Sequence, residues 1–330
     1  MNQRTILFIS KSETSASTRY RALTYFPYLQ ATGWNPVHIA ADKSFVRRMQ
    51  ILQRAAKADV VVILRKTFSP FFIYLLRRSA GILVFDFDDA IFLRSNGQAS
   101  SLRMKRFRRM MKICDQVWAG NHYLASAALA FNPRVSILPT SVNTEKYRID
   151  ARKPDDSIDL VWIGSKSTRK YLTDALPALE SVAKQHPQIR LKIIANFDLA
   201  TNHLKTLPVQ WSEASEATEL ANSHVGIAPM SENPWTRGKC ALKVLQYMAA
   251  GLPVVASPAG INKDVVIHDE TGYLATTEQE WINYIQRLVE DPSLRKRLGE
   301  TGRKRVIENY SEDNTAKALL TSINNLYPSR

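Results

Sequence analysis

Short apolar runs rich in β-branched residues alternate with helical patterns along the whole chain, which leaves few folds open. Thr5–Ser10, Val37–Ala40, Val60–Leu64, Ile82–Asp86, Gln116–Ala119 and Val135–Leu138 read as strands, and helices are expected over 19–32, 44–57 and 69–80. The pattern restarts at Asp159–Ile163, after a polar, proline-containing linker at Arg152–Ser157. Strands at Arg190–Ala195, Val225–Pro229 and Pro253–Ala256 follow, with helices over 171–185, 217–223, 240–250, 278–298 and 311–327. Alternation of this kind predicts parallel sheets covered on both faces. The fold class expected is α/β, with two Rossmann-like domains, 1–150 and 151–330, facing across a cleft and the last helix packing back on the first domain. In such sheets ligands sit beyond the carboxyl ends of the strands.

The chain has 330 residues, enough for two cores, and its 45% hydrophobic and 23% charged residues are ordinary for a globular protein. Its longest apolar stretches, such as Phe71–Leu76, fall far short of the roughly 20 residues that a bilayer span needs. Met1–Arg4 leads into the first strand without a signal-peptide pattern, and Cys114 and Cys240 alone make no disulfide framework, so a cytoplasmic location is expected. Charge is distributed unevenly. Residues 1–150 hold 23 Lys and Arg against 9 Asp and Glu, a net +14, whereas the remainder is nearly neutral at +1. A field of that sign attracts nucleic acid or the acidic headgroups of a membrane, and composition does not choose between them.

The segment Arg237–Ser257 reads as a glycine turn, a helix with an exposed first turn, a glycine C-cap and a buried strand. Open N–H groups at such a helix start bind phosphate, helped by the helix dipole. Lys239 in the first turn and Lys243 one turn on would face the same anion; the plain alternative is a soluble surface helix. Leu245–Ser257 resembles the donor-binding signature of family 4 glycosyltransferases, which have the GT-B fold. Trp162–Thr168 with Tyr171-Leu172, Val225–Met230, Glu270–Leu274 and Val306–Ser311 are similar to the same family in the same order. Ser15–Arg21, Phe85–Ala90 and Gly120–Leu124 resemble one branch of it.

The resemblance implies a nucleotide-sugar donor held by the C-terminal domain, transfer with retention of configuration, and no metal cofactor. The family's two glutamates, eight positions apart, fall here on Gly238 and Gln246. Gln246 is expected to bond the ribose hydroxyls, while Gly238 departs from the pattern. Lys239, Lys243 and the N–H groups of Cys240, Ala241 and Leu242 are expected to hold the diphosphate. Around Gly164, the family's phosphate-binding arginine falls on Ser165 and its lysine on Lys170, with Ser165 and Thr168 as added hydroxyl donors; an ordinary N-cap at Ser167 or Thr168 is the other reading. Asp88 matches the position of a histidine facing the donor sugar, so Asp88 or Asp89 would orient the acceptor hydroxyl or accept its proton. With Asp86 these residues also form an Asp-x-Asp pattern able to hold Mg²⁺, but the domain order argues against that use. The Ser12–Thr18 loop, with Ser17, stands where relatives have a glycine-rich turn, and Arg19 and Arg21 after it would meet donor or acceptor phosphate.

Leu102–Ile113 mixes six cations with apolar residues, and Arg103, Lys105, Arg106, Phe107, Arg108 and Arg109 read as a basic amphipathic helix lying on an anionic membrane. A solvated helix face is the alternative. The expected protein is a peripheral glycosyltransferase at the inner membrane face, acting on a lipid-linked or polysaccharide acceptor. A nucleotide-sugar epimerase on the same fold and a nucleic-acid-binding protein are the competing readings, although recognition modules for nucleic acid are lacking. No Gly-x-Gly-x-x-Gly follows either first strand, which argues against a dinucleotide-dependent oxidoreductase.

Overall fold

The computed structural model describes residues 3–148 and 150–326. Tyr327, which the last expected helix includes, lies outside them. The chain divides into two compact units. The first takes the described residues up to Ser141, the stretch Pro234–Cys240 and everything from Glu312 onward; the second takes Val142–Asn233 and Ala241–Ser311. Residues 142–150, which the linker reading gives to the first half, therefore pack in the second, and seven residues from the middle of the C-terminal half pack in the first.

In the first unit six parallel strands, β1 (Arg4–Ser10), β2 (Trp34–Ala40), β3 (Val60–Leu64), β4 (Ile82–Phe87), β5 (Gln116–Ala119) and β6 (Val135–Ile137), run in the order 2-1-3-4-5-6. The register pairs Phe8 with His38 and Val62, so the most apolar strand lies between two neighbours and is buried over its last five residues. Phe8, Tyr25, Val62 and Trp118 form its core with Leu319 and Ile323 of the final helix, Glu312–Leu326. Polar bonds hold that helix too: Trp118 Nε1 and Gln116 Nε2 both donate to Ser322 Oγ at 2.8 Å.

The second unit repeats the plan with β7 (Ile158–Ile163), β8 (Ile189–Ile194), β9 (Lys205–Val209), β10 (Val225–Ala228), β11 (Val254–Ala256) and β12 (Gly272–Leu274), in the order 12-11-10-7-8-9. Trp162, Leu179, Ile193, Tyr273 and Leu288 lie in its core. Both units are Rossmann-like.

Several elements differ from expectation for local reasons. The single helix over 19–32 is broken into Ala16–Arg21, a 3₁₀ turn at Leu23–Tyr25 and Phe26–Ala31. Pro27 has no N–H to continue the ladder, so the helix restarts at the one place where proline costs little. The long helix over 278–298 is two, Glu278–Glu290 and Pro292–Tyr310, because Asp291 caps and Pro292 opens the second. β9 escapes a pattern search because it is a half-exposed edge strand whose Pro208 is tolerated only there.

Candidate functional site

At the carboxyl end of β7, Gly164 is required by packing: a Cβ there would lie 2.3 Å from the Trp162 ring and 2.9 Å from Thr168 Oγ1. The turn that follows is closed by its own hydroxyls. Ser165 N donates to Thr168 Oγ1 at 3.2 Å, Thr168 Oγ1 to Ser165 O at 3.1 Å, and the Ser165 and Ser167 hydroxyls pair at 2.8 Å. Thr168 precedes the helix Arg169–Gln185 but its side chain caps no N–H of that helix, so the simple N-cap reading does not describe this turn. Lys170 is exposed with Nζ 4.7 Å from the centre of the Tyr171 ring.

The helix expected from Cys240 begins at Leu242 and ends at Ala249, and Ala241 before it takes a left-handed φ of 54°. Its first ladder bond runs from Leu245 N to Ala241 O at 3.0 Å, so the N–H groups of Leu242, Lys243 and Val244 precede the helix's own ladder. Of the three expected amides, those of Cys240 and Ala241 precede the helix and only that of Leu242 opens it. Lys243 Nζ lies 4.5 Å from the centre of the Trp162 ring. Trp162 thereby brings the Gly164 turn and the start of this helix together in the second unit. Gln246 is buried, and its amide nitrogen donates inward to Tyr147 Oη at 2.9 Å. Tyr147 Oη donates to Glu216 Oε1 at 2.6 Å, and Glu216 Oε2 accepts from Trp211 Nε1 at 2.8 Å. The amide expected to meet ribose thus serves an interior chain of hydrogen bonds that the sequence did not suggest.

Lys239 is not on that helix. It ends a 3₁₀ turn, Thr236–Gly238, in the stretch that packs in the first unit. Its Nζ lies 3.1 Å from Asp89 Oδ2 and 3.7 Å from the centre of the Trp235 ring. Steric limits explain Gly238: a Cβ would lie 2.7 Å from Ala90 N and 2.8 Å from Ala90 Cβ, so no glutamate fits here without displacing backbone. Asn121 Nδ2 fastens the same stretch, donating to Arg237 O and Lys239 O at 3.2 Å each. Cys240 Sγ donates to Asp88 O at 3.5 Å, and a Cβ on Gly120 would lie 2.5 Å from that sulfur. Burial pushes the Cys240 thiol up to about 12, so it is a neutral thiol.

Asp88 and Asp89 follow β4 directly, where Arg65 meets both: Nε lies 3.3 Å from Asp88 Oδ1 and Nη2 2.8 Å from Asp89 Oδ2. Arg65 itself takes a φ of 53°, a strained conformation for a residue with a side chain. Burial raises the Asp88 carboxyl, but Arg65, Arg21 and Lys239 outweigh it and hold the group below the ordinary carboxylate range. It is charged at neutral pH and a weak proton acceptor. Sequence reading missed Arg65 and Trp235 as site residues; an arginine directly after a buried strand and a tryptophan before the Arg237 turn were the available signals. Asp86 is committed elsewhere, accepting from Arg21 Nε at 2.6 Å. Among the described residues no group of three or more His, Cys, Asp or Glu is placed to hold a metal ion.

Two expectations for the first unit are corrected. Arg21 is 1% exposed and bonded to Asp86 and to Leu138 O, so it meets no ligand, whereas Ser17 and Arg19 are half-buried near the start of the Ala16–Arg21 helix. Phe107 is fully buried with Met110 and Met111, and packs against Phe87, Phe92 and Phe131. The apolar side of the Ser101–Ile113 helix therefore faces the core and is not open to a bilayer, leaving Arg103, Lys105, Arg106 and Arg108 exposed and Arg109 half-buried.

Residues 143–305 match the family described as Glycosyl transferases group 1. A GDP-Man:Man(3)GlcNAc(2)-PP-Dol alpha-1,2-mannosyltransferase of Dictyostelium discoideum is 33% identical over 107 residues, 32% of this chain and 20% of that protein. The chain thus spans a fifth of that relative's length. Among solved structures, a glycosyltransferase from Rickettsia africae ESF-5 superposes with a TM-score of 0.75 at 14% identity, covering 100% of both chains. Anabaena Alr3699/HepE in complex with UDP-glucose gives 0.73 at 13% identity, over 97% of this chain and 99% of that one. At such identities the likeness is one of fold. Both units thus have the Rossmann-like form of the GT-B class, and residues 143–305, just under half of the chain, form a domain of the group 1 glycosyl transferases.

Proposed function

We propose that this protein transfers a sugar from a nucleotide-sugar to a lipid-linked or polysaccharide acceptor at an anionic membrane surface, with retention of configuration and without a metal. The observation that carries the donor half is the grouping around Trp162, whose ring both the Gly164 turn and Lys243 abut; Lys170, exposed in the first turn of the helix after that turn, is the further cation. Cations and open N–H groups at a strand end stabilise the negative charge that grows on a departing diphosphate. The Anabaena neighbour, solved with UDP-glucose, supports a nucleotide-sugar as donor. Asp88, held below the ordinary carboxylate range beside Arg65, is suited to orienting an acceptor hydroxyl more than to removing its proton, and Asp89 next to it is held by Arg65 and Lys239. Lys239 acts there as a positioning residue, through Asp89.

Thermal-shift screening across UDP- and GDP-sugars, followed by transfer assays, tests this reading, since a ligand that selects the native state raises its melting temperature by mass action. Lys243→Ala should lower turnover by about 10²–10³ with the fold intact, the usual cost of losing one donor to a developing anion. No melting shift with any nucleotide-sugar would sink the proposal. Sugar isomerisation without acceptor would favour the epimerase reading instead.

The membrane reading moves to another surface. Phe45 (76% exposed) and Val46 open the helix Phe45–Ala55, and Phe71 (73% exposed) and Tyr74 lie on Pro70–Ser79, the helix packed against it. Lys43, Arg47, Arg48, Arg77 and Arg78 lie in or beside the same helices. Aromatic side chains that enter the headgroup layer, ringed by cations, suit an anionic bilayer better than a helix whose apolar side is used internally.

A further inference from the structure

A cavity of about 310 Å³ opens in the first unit beside Asp89, lined among others by Arg65, Ile91, Arg103, Arg106 and Trp235. Arg103 and Arg106 stand three residues apart on the Ser101–Ile113 helix and so share one face of it. Arg103 Nη1 donates to Leu93 O at 2.7 Å, which fixes the guanidinium and leaves its other N–H groups available. Among the described residues neither arginine is paired with a carboxylate. Asp89 does not offset them, because it already meets Arg65 Nη2 at 2.8 Å and Lys239 Nζ at 3.1 Å. Arg65 is itself engaged by Asp88 and Asp89, so the guanidinium groups of Arg103 and Arg106 give the wall its positive character. Such a wall recognises an anion, and planar guanidinium forks match phosphate and carboxylate oxygens.

We propose that this cavity is an acceptor subsite for an acidic group, phosphate or carboxylate, which Arg103 and Arg106 bind so that the neighbouring sugar hydroxyl comes to Asp89. The inference rests on the transfer reading above and adds to it the acidic character of the acceptor. Ile91 and Trp235 give the ring an apolar wall, and the volume is that of a small-ligand site. The cations that the sequence assigned to a lipid surface serve, on this view, a bound molecule.

Calorimetric titration of the full-length protein with glucuronate, glucose 1-phosphate and neutral glucose tests the inference. Wild type should bind at least one charged sugar about tenfold or more tightly than glucose, as expected for hydrogen bonds to a charged group. In the Arg103→Gln/Arg106→Gln variant that preference should fall to within about twofold, while Arg103→Lys/Arg106→Lys keeps most of it. The better of the two charged probes identifies the oxygen acid. Equal binding of charged and neutral sugars by wild type, or a preference that survives in the glutamine variant, overturns the proposal. Melting shifts with nucleotide-sugars, measured on the same preparations, should not change. If they persist while the anion preference is missing, the subsite is wrong and the transfer reading stands; if wild type shows no such shift, the transfer reading itself has failed.

Discussion

Arg21 takes a full charge into the interior of the first unit, and Asp86 makes that tolerable: both side chains are fully buried, and Leu138 O accepts a third bond. Removing one partner strands the other. Asp86→Asn should therefore cost about 3–5 kcal/mol in urea unfolding, with Arg21→Met/Asp86→Leu recovering much of it, because an apolar pair leaves no uncompensated charge. A second residue-scale consequence concerns pH. His224 is buried and its ring nitrogen accepts from Asp159 N at 3.0 Å. Burial, with Lys153 and Arg295 nearby, lowers it to about 4. The unfolded chain therefore binds a proton, near pH 6.5, that the native state refuses. Stability should be full above pH 6.5 and fall as pH drops towards 4, by on the order of 3 kcal/mol from this group at most. Urea midpoints between pH 7 and 4.5 will show the slope, and His224→Gln should flatten it. Little of this was legible in sequence. Arg21 was read as a ligand because an arginine after a loop looks solvent-facing, and only the fold reveals its pairing with Asp86, sixty-five residues away.

At the scale of elements, the repeating strand–helix rhythm was readable because burial on both faces forces continuous apolar runs. What could not be read was allegiance. Pro234–Cys240 sits between elements of the second unit in sequence, yet its polar partners are Asn121, Asp88 and Asp89. That is why a helix drawn through Lys239 failed and why two lysines four apart do not share a face. The same packing predicts what happens when the family's missing glutamate is restored. Gly238→Glu puts a side chain into Ala90 and Leu124, so it should lower the melting temperature and should not improve donor binding. Higher activity in this variant would mean that the stretch is not held as described. The helices Phe45–Ala55 and Pro70–Ser79 give a parallel test. Phe45→Ser/Phe71→Ser should reduce co-sedimentation with phosphatidylglycerol vesicles several-fold without changing stability, since both rings are already in water. Substituting Phe107 instead would unfold the unit before it reported on membranes.

Over the whole molecule, the first unit is not closed by its own end of the chain. Its sheet is finished by the Glu312–Leu326 helix, which lays Ala316, Leu319 and Ile323 on Tyr25 and Trp118 and is pinned by Ser322, by Tyr28 Oη donating to Asp313 at 2.8 Å, and by Thr24 donating to Glu312. A return of the last helix was expected; that it completes the core, and does more than cover it, was not. Each large apolar side chain buried there is worth about 1.5–3 kcal/mol. The helix as a whole thus approaches the 5–15 kcal/mol, roughly, that hold a typical domain together. A chain ending at Ser311 should lose cooperative unfolding of the first unit and show faster amide exchange in β5 and a red-shifted Trp118. Trp162 with Lys243, and Lys170, all lie in the second unit, whose core takes nothing from this helix. Any melting shift given by a nucleotide-sugar should therefore survive the truncation even as transfer is lost, because Asp88 and Asp89 go with the first unit. Retention of both binding and transfer would contradict this division of labour, and so would loss of both through general unfolding.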